Sequence, residues 1–599
     1  MVSTNRKILI MSVAAFLFVV NFGALAQGSN TATPSGEFIF GTPVSTSVSD
    51  LNPLTVSNSL ATIIDQETYA NSLGFQWADG TFTPWLASSW SITYSGTSEN
   101  ITYHLNPNAD WVQGSNVVGQ ITGKDVAYTF KAILGNSSLD GYNLASHLTS
   151  VTSWDNNSAV SFNFNSTSAL WFTYVTSQVI IPSSWSQYDN GTPGNIGSYL
   201  NMGPYAKEIT AGPFTLSNIS SQGAILVANT HFWMGTPHIE TFYVEKFQST
   251  SSAVLSLEDG SIAGTFPALS DYNALKGTTN ITNVNQAEPW TFYLWMNDTL
   301  PTFANYHFRQ GLAYAINKTQ IMQKAEDGLG SWGSNFSFGG LPTVMKSQWA
   351  PNLTQYSFNN TKALHQFELA GYHQNITSSG VQLVNNTTKK QLTLTIQEPP
   401  VSDWQAAGTF IQSDLKVLGI NAVLLSVPFS TWGADTFGAN FTTLTYFGYV
   451  PAFTNPYIQL QAPYDYNGGF WNVEHFSNST LNGLFNTTIS ATGTNFTKDL
   501  NQMQQIIDQQ VPIVPIGNAN NFYAYNNKMV QGFLPNLTMD SPYNLMQITS
   551  SYTPPTTPAT TSSNNILYYL AGGVAAAIVV GGVVGYALRG KGNKGKEEK

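Results

Sequence analysis

The chemistry open to this chain is bounded first by the reactive side chains it lacks. Cysteine is absent, which excludes disulfides, thiolate metal sites and a cysteine nucleophile. Eight histidines are scattered over 599 residues, and His231 and His238 lie seven apart with no acid cluster beside them. No H-E-x-x-H, G-x-S-x-G or phosphate-cradling glycine loop occurs. A glycoside hydrolase would need two acids facing across a cleft about 5–10 Å apart, an alternative that scarce Asp and Glu leave open but do not favour. What the chain has in quantity is neutral recognition chemistry, with 13% aromatic residues among many Asn, Gln, Ser and Thr. Rings stack on sugar faces, and amides hydrogen-bond to hydroxyls or to a peptide backbone. The expectation is binding without catalysis, with no metal, nucleotide or cofactor on the chain.

Charge narrows the partners. Only 9% of residues are charged, against about 25% in ordinary globular chains. Setting aside Arg6, Lys7 and the tail after Leu588 leaves 15 bases against 31 acids, a charge of about −16. Such a surface excludes nucleic acid, whose phosphates need positive charge. A physical reason to discard ionisable groups is an acidic medium, because acid denaturation acts through them. An acidic habitat is therefore expected.

The two ends place this chemistry. Arg6 and Lys7 precede an apolar run from Ile8 to Ala26 that closes on Ala24-Leu25-Ala26, the pattern of a secretory signal peptide over residues 1–26. Ile566–Leu588 is uncharged and long enough to span about 30 Å of hydrocarbon. Five bases follow it, so the tail 589–599 is expected to stay in the cytoplasm and the helix to anchor the chain. Between the body and this helix, residues 552–565 read YTPPTTPATTSSNN, a stalk that cannot bury apolar surface. Asn-x-Ser/Thr sequons, among them Asn100, Asn136, Asn165, Asn335, Asn386 and Asn536, fit a glycosylated outer face.

The elements that must position any site can be read in turn. Ser91–Tyr94 and Ile101–Leu105 alternate around a Ser95–Asn100 turn, a hairpin. Thr122 with Asp125 marks a helix start, and Val126, Phe130 and Ile133 recur on one face. Ala224–Ala228 and Trp290–Asp298 read as strands, and Phe308, Leu312 and Ile316 share the core face of a helix. Then come a helix at Thr361–Ala370, a strand at Leu392–Gln397 and an amphipathic helix at Ser402–Leu418. A strand at Asn421–Val427, a helix at Asn501–Gln510 and a strand at Val511–Ile516 follow. The alternation predicts an α/β body.

Several blocks stand in an order that closely resembles the extracellular solute-binding proteins of family 5, the oligopeptide- and dipeptide-type binding components of ABC importers. They are LASSWSIT, ITYHLNPNADWVQG and ITGKDVAYTF from Leu86 to Phe130, AGPFTLSNIS from Ala211, NTHFWMGTPHIETFYVEKF from Asn229, and FRQGLAYAIN from Phe308. The resemblance spans about residues 36–549. It implies a two-lobed periplasmic-binding-protein-like fold of type II, with an extra subdomain in lobe one. Lobe one would comprise about 36–287 and 515–549, and lobe two about 288–514, with crossings near Asn285–Trp290 and Pro512–Gly517. A C-terminal anchor behind a Thr/Pro stalk resembles archaeal members more than bacterial ones. The partners implied are a peptide or oligosaccharide ligand, and permease subunits driven by separate ATPase subunits.

The resemblance also implies a cleft. Candidate ligand contacts are Thr46 and Ser47 after the first strand, Trp432, Tyr449, Phe453, Asn455, and Trp471 with Asn472. In the family's peptide binders an aspartate in a "W..D...P" segment anchors the peptide amine. The matching segment here, Tyr449 to Pro456, carries Ala452 at that position. Arg309, the one arginine between Arg6 and Arg589, and Asn297, at a strand end, are expected to hold structure.

Overall fold

The computed structural model describes residues 33–551 apart from internal segments 43–47, 49, 57–58, 78–80, 141–143, 169, 203–206, 326–337, 342, 379, 400–401, 439, 450–454, 467–471 and 535–536. The expected signal peptide (1–26), stalk (552–565), membrane helix (566–588) and tail (589–599) lie outside these residues, as do Thr46, Ser47, Phe453 and Trp471. Among the described residues no helix is long and apolar enough to cross a membrane.

The first half begins with strand β1 (Glu37–Thr42), which buries Phe38 and Phe40, and helix α1 (Ser59–Thr68). The expected hairpin follows as β2 (Ala87–Ser95) and β3 (Ser98–Leu105). Its turn is tighter than Ser95–Asn100: Ser95 pairs with Ser98 around Gly96, whose φ of +62° a glycine tolerates. Glu99 therefore belongs to the strand, where it is buried and accepts the Ser168 N–H at 3.0 Å. Helix α2 (Gly123–Leu134) starts at a capping box, with Asp125 Oδ2 accepting the Thr122 N–H at 2.8 Å. Val126, Phe130 and Ile133 are buried against β4 (Leu148–Trp154) and β5 (Ala159–Phe164). These strands complete an antiparallel sheet of order β2-β3-β5-β4.

A larger sheet organises the rest. Strands β6 (Phe214–Ser220), β7 (Gly223–Ala228), β8 (Thr241–Lys246) and β9 (Gly264–Thr265) lead into the 16-residue β10 (Ile281–Met296). Helices α3 (Tyr306–Ala315) and α4 (Asn360–Leu369) precede β11 (Thr393–Glu398), α5 (Ser402–Val417) and β12 (Asn421–Ser426). Then come α6 (Phe429–Phe437), β13 (Leu444–Tyr449), α7 (Pro456–Tyr464), α8 (Ser479–Thr488) and α9 (Gly493–Gln510). The chain returns through β14 (Ile513–Asn526) to α10 (Pro542–Gln547). Among the described residues the sheet runs β6-β7-β8-β1-β9-β14-β10-β13-β11-β12.

β10 and β14 pair from Ile281 with Asn526 to Trp295 with Ile513, so one ribbon belongs to both halves. Both strands exceed the sequence reading. Their Asn-rich stretches have low strand propensity, but each supplies the other's backbone partners. Val511 is not in the strand; it ends α9 at φ +43°. α9 itself starts at Gly493, well before Asn501: Phe496 and Leu500 extend its core-facing side upstream of Met503 and Ile507, while the residues around them are polar and mostly exposed.

Around the second half of the sheet, one face buries Leu294, Leu394, Ile396 and Tyr446 with Phe308, Leu312 and Ile316 of the α3 segment and Ile411 and Leu415 of α5. The opposite face buries Tyr293, Trp295 and Phe447 with Trp432, Tyr457, Phe485 and Met503 of α6 to α9. Alternation along β10 therefore serves two cores at once.

Candidate ligand cleft

Parallel pairing fixes where a ligand can sit. β1 runs parallel to β8 and β9, and β11 runs parallel to β12 and β13. In open α/β sheets ligands bind beyond the carboxyl ends of such strands, where the loops diverge. Here two sets of carboxyl ends point at each other. Thr265, ending β9, pairs with Ala524 of β14; Tyr449, ending β13, pairs with Thr291 of β10, which lies opposite Asn518 of β14. The carboxyl ends of β1 and β9 on one side, and of β11 and β13 on the other, face the stretch of ribbon between Ala524 and Asn518. The ribbon is irregular there, with its register broken between Ala287 and Trp290. Such breaks bend a strand pair locally.

The polar groups at this convergence are neutral or neutralised. Thr265 Oγ1 donates to Gly41 O at 2.7 Å, and Thr291 Oγ1 donates to Asn518 Oδ1 at 3.3 Å. On the other side the indole N–H of Trp432 donates to Thr445 Oγ1 at 2.8 Å, and that hydroxyl donates to Gln397 O at 2.9 Å. Trp432 is only 2% exposed, so its ring is committed to packing against Phe447 and Trp404, at 5.2 and 5.3 Å between centroids. Asn455 caps α7, its Oδ1 accepting the Tyr457 N–H at 2.9 Å. Asn472 Nδ2 donates to Phe476 O at 2.9 Å in the segment before α8, while its Oδ1 is buried without a partner among the described residues. Tyr449 ends β13, and its side chain lies outside the description.

Two residues that sequence reasoning passed over stand at the carboxyl end of β11. Trp404, in the first turn of α5, is half-buried and touches Trp432, which leaves part of its ring open. In the sequence it is only the first ring of the amphipathic helix, and no local pattern places it at the end of β11. Glu398 ends β11 at 3% exposure, with Oε2 so close over Gly408 that a Cβ there would come within 2.2 Å. Burial pushes its carboxyl up to about 7, so it is neutral in acid.

Arg309 and Asn297 tie the frame. Asn297 Nδ2 donates to Phe441 O at 2.8 Å, closing β10 against the turn before β13. Arg309 Nε donates to the carbonyls of Gln510 and Val511 at 2.9 and 3.2 Å, and Nη1 donates to Phe303 O. Its guanidinium lies 3.9 Å from Asp298 and 5.4 Å above the Phe476 ring. Among the described residues no group of three or more His, Cys, Asp or Glu is placed to hold a metal ion.

Known proteins share this architecture. The chain is 23% identical over 498 residues to heme-binding protein A of Haemophilus influenzae, covering 78% of this chain and 84% of that protein. It is 24% identical over 334 residues to a dipeptide-binding protein of Pseudomonas aeruginosa, covering 55% and 59%. The solved periplasmic binding protein DppA of Helicobacter pylori, in complex with the peptide STSA, superposes with a TM-score of 0.69 at 17% identity, over 86% of this chain and 98% of that one. A Thermotoga maritima oligopeptide-binding protein with bound mannohexaose gives 0.72 at 18% identity, over 86% and 99%. The fold is the two-lobed, mixed α/β fold of periplasmic binding proteins. The model of the family described as bacterial extracellular solute-binding proteins, family 5, matches residues 81–471, more than half of the chain, and the chain belongs to that family.

Proposed function

We propose that this chain is the extracellular capture component of an ABC importer and takes peptides between its lobes. The observation that carries the reading is the convergence of both sets of parallel-strand ends on the β10–β14 ribbon, flanked by Trp404 and neutral amides. Lobe one would comprise about 36–287 and 515–549, with the four-stranded sheet as part of an extra subdomain, and lobe two about 288–514. Closure would bend the ribbon near its register break. A permease with separate ATPase subunits would receive the ligand.

An oligosaccharide is the second reading, favoured by neutral amides beside a partly open indole and by the mannohexaose held by the Thermotoga maritima relative. The test is thermal unfolding with peptides, oligosaccharides and hemin as separate arms. A ligand at about 100 times its Kd adds about 2.7 kcal/mol, an easily read shift. Peptides are expected to raise the melting temperature, and acetylated and free peptides to do so alike, because Ala452 offers no anchor for the amine. Trp404→Ala should cost about tenfold in affinity, since an aromatic contact contributes about 0.5–1.5 kcal/mol beyond its buried area. Small-angle scattering should show a smaller radius of gyration with ligand. If no arm shifts the transition, the capture reading falls.

The apolar segment 566–588 would anchor the chain, with the stalk 552–565 spacing the body from the lipid. The full chain is then expected in the membrane fraction, and a chain ending at Ser551 in the soluble fraction. A shortened chain that still pellets with membranes would refute the anchor.

A further inference from the structure

Helix α1 buries two carboxyl side chains whose charged neighbours, among the described residues, are other acids. Asp65 is 5% exposed and Glu67 is fully buried, and none of their four carboxyl oxygens has a hydrogen-bond partner among the described residues. The segments packed on α1 add more acid. Asp65 faces Glu208, just before the strand pair that begins at Ile209, and Asp50, in the segment after β1. Glu67 faces Asp540, in the turn before α10. Glu208 is 8% exposed; one oxygen accepts from Asn201 Nδ2 at 2.9 Å and the other has no partner among the described residues.

The remaining titratable groups here are phenols. The Tyr69 hydroxyl donates to Ile209 O at 2.9 Å and accepts from Asn201 Nδ2 at 3.0 Å. The Tyr199 hydroxyl donates to Asn201 Oδ1 at 3.3 Å, and its ring stacks on Tyr188. Asp50 is held by the Asn52 N–H and the Thr55 hydroxyl, both at 2.8 Å. No lysine, arginine or histidine among the described residues acts on Asp50, Asp65, Glu67, Glu208 or Asp540. Metal is no better an explanation, since among the described residues the acids are not grouped to hold an ion.

Ionised carboxylates buried side by side without a cation or a donor are among the costliest arrangements in a protein interior. A neutral carboxyl removes the repulsion and gains an O–H to donate. We propose that Asp65 and Glu67 form a proton-held latch: α1 packs into lobe one with both carboxyls neutral, so the lobe is firm in an acidic medium and loosens as the medium becomes alkaline. The latch is independent of what the cleft binds. It gives the charge-poor composition a structural counterpart, because the acids that remain are placed where acid favours them.

The sign follows from proton counting. Burial raises all three carboxyls, Glu208 to about 8, so the folded chain holds protons that the unfolded chain releases. This contribution is complete below the unfolded carboxylate range near pH 4 and is lost as pH climbs towards the folded values.

The test is denaturant unfolding of the full chain in detergent from about pH 4 to pH 9, for wild type, Asp65→Asn, Glu67→Gln and the double variant. The wild-type folding constant should fall with rising pH by up to about tenfold per unit for each group. The amides keep the shape without titrating, so the double variant should lose less with pH and overtake wild type at the alkaline end. A wild type that gains stability over this range, or a double variant that runs parallel to it, overturns the latch. Should the amide variants not fold, infrared spectra of folded wild type, Asp65→Glu and Glu67→Asp near pH 6 decide it. Glu398, Asp298 and Glu474 are raised as well, so the protonated-carboxyl C=O stretch must change its frequency in Asp65→Glu or Glu67→Asp to support the proposal, and a stretch that both variants leave unchanged overturns it.

Discussion

Arg309→Met is expected to destabilise the fold by about 3–5 kcal/mol at neutral pH, the range seen when one partner of a buried pair is removed. The residue does two jobs that methionine cannot. Its guanidinium satisfies the carbonyls of Phe303, Gln510 and Val511, which would be orphaned where α3 meets the end of α9. It is also the cation that acts on two buried acids, Asp298 and Glu474, whose carboxyl oxygens find no side-chain hydrogen-bond partner among the described residues.

The effect should depend on pH in a defined direction. Burial pushes the Asp298 carboxyl up to about 7 even with Arg309 pulling it down, and burial raises Glu474 as well. Stability from these groups is complete in acid and lost as pH rises. Without the guanidinium they would rise further, so the gap between wild type and variant should be wider near pH 8 than near pH 4. Arg309→Lys should recover part of the loss, since an ammonium keeps the charge but not the planar fork that reaches three carbonyls. Denaturant unfolding at both pH values checks this. A loss below about 1 kcal/mol, or a gap indifferent to pH, would show that the site is ordinary packing.

Arg309 illustrates what the sequence could say. Its isolation in a charge-poor chain marked it for a buried partner, yet its main acceptors lie about 200 residues away, at the end of α9, where no local pattern points. The hairpin β2–β3, the capping box at Thr122 and the faces of α3 and α5 were legible because each is written within one stretch of periodic residues. The extent of β10 and β14 was not. Asn518 and Asn520 have poor strand propensity, and only pairing with a segment far upstream makes them strand. The candidate cleft residues came from the resemblance and not from periodicity. Tyr449 and Asn455 stand at a strand end and a helix start that the sequence reading did not mark, and the burial of Trp432 depends on Thr445 and Phe447 lying beneath it.

A second large effect is expected at Gly212, in the Ala211-Gly212-Pro213-Phe214 block. A Cβ at this position would lie 2.0 Å from the carbonyl oxygen of Glu67 and 2.7 Å from the carbonyl carbons of Glu67 and Thr68. These are backbone atoms, so a rotamer change cannot relieve the clash. The contact is close because the N–H groups of Ala211 and Gly212 both donate to Thr68 O, at 3.0 and 2.7 Å, pinning the end of α1 to the start of β6. Gly212→Ala must push them apart, weaken both bonds and move Glu67 within its acidic surroundings, at a cost of about 3 kcal/mol, the upper end for an overpacked contact. The contrast is Gly483, in α8, where a Cβ meets nothing within 4 Å. There alanine lowers the entropy of the unfolded chain without a clash, and Gly483→Ala should stabilise by about 0.5–1 kcal/mol. Equal effects of the two substitutions in denaturant unfolding would mean that the approach of α1 to β6 is not what Gly212 serves. Opposite signs would identify that glycine as the place where helix and sheet backbones come too close for any side chain.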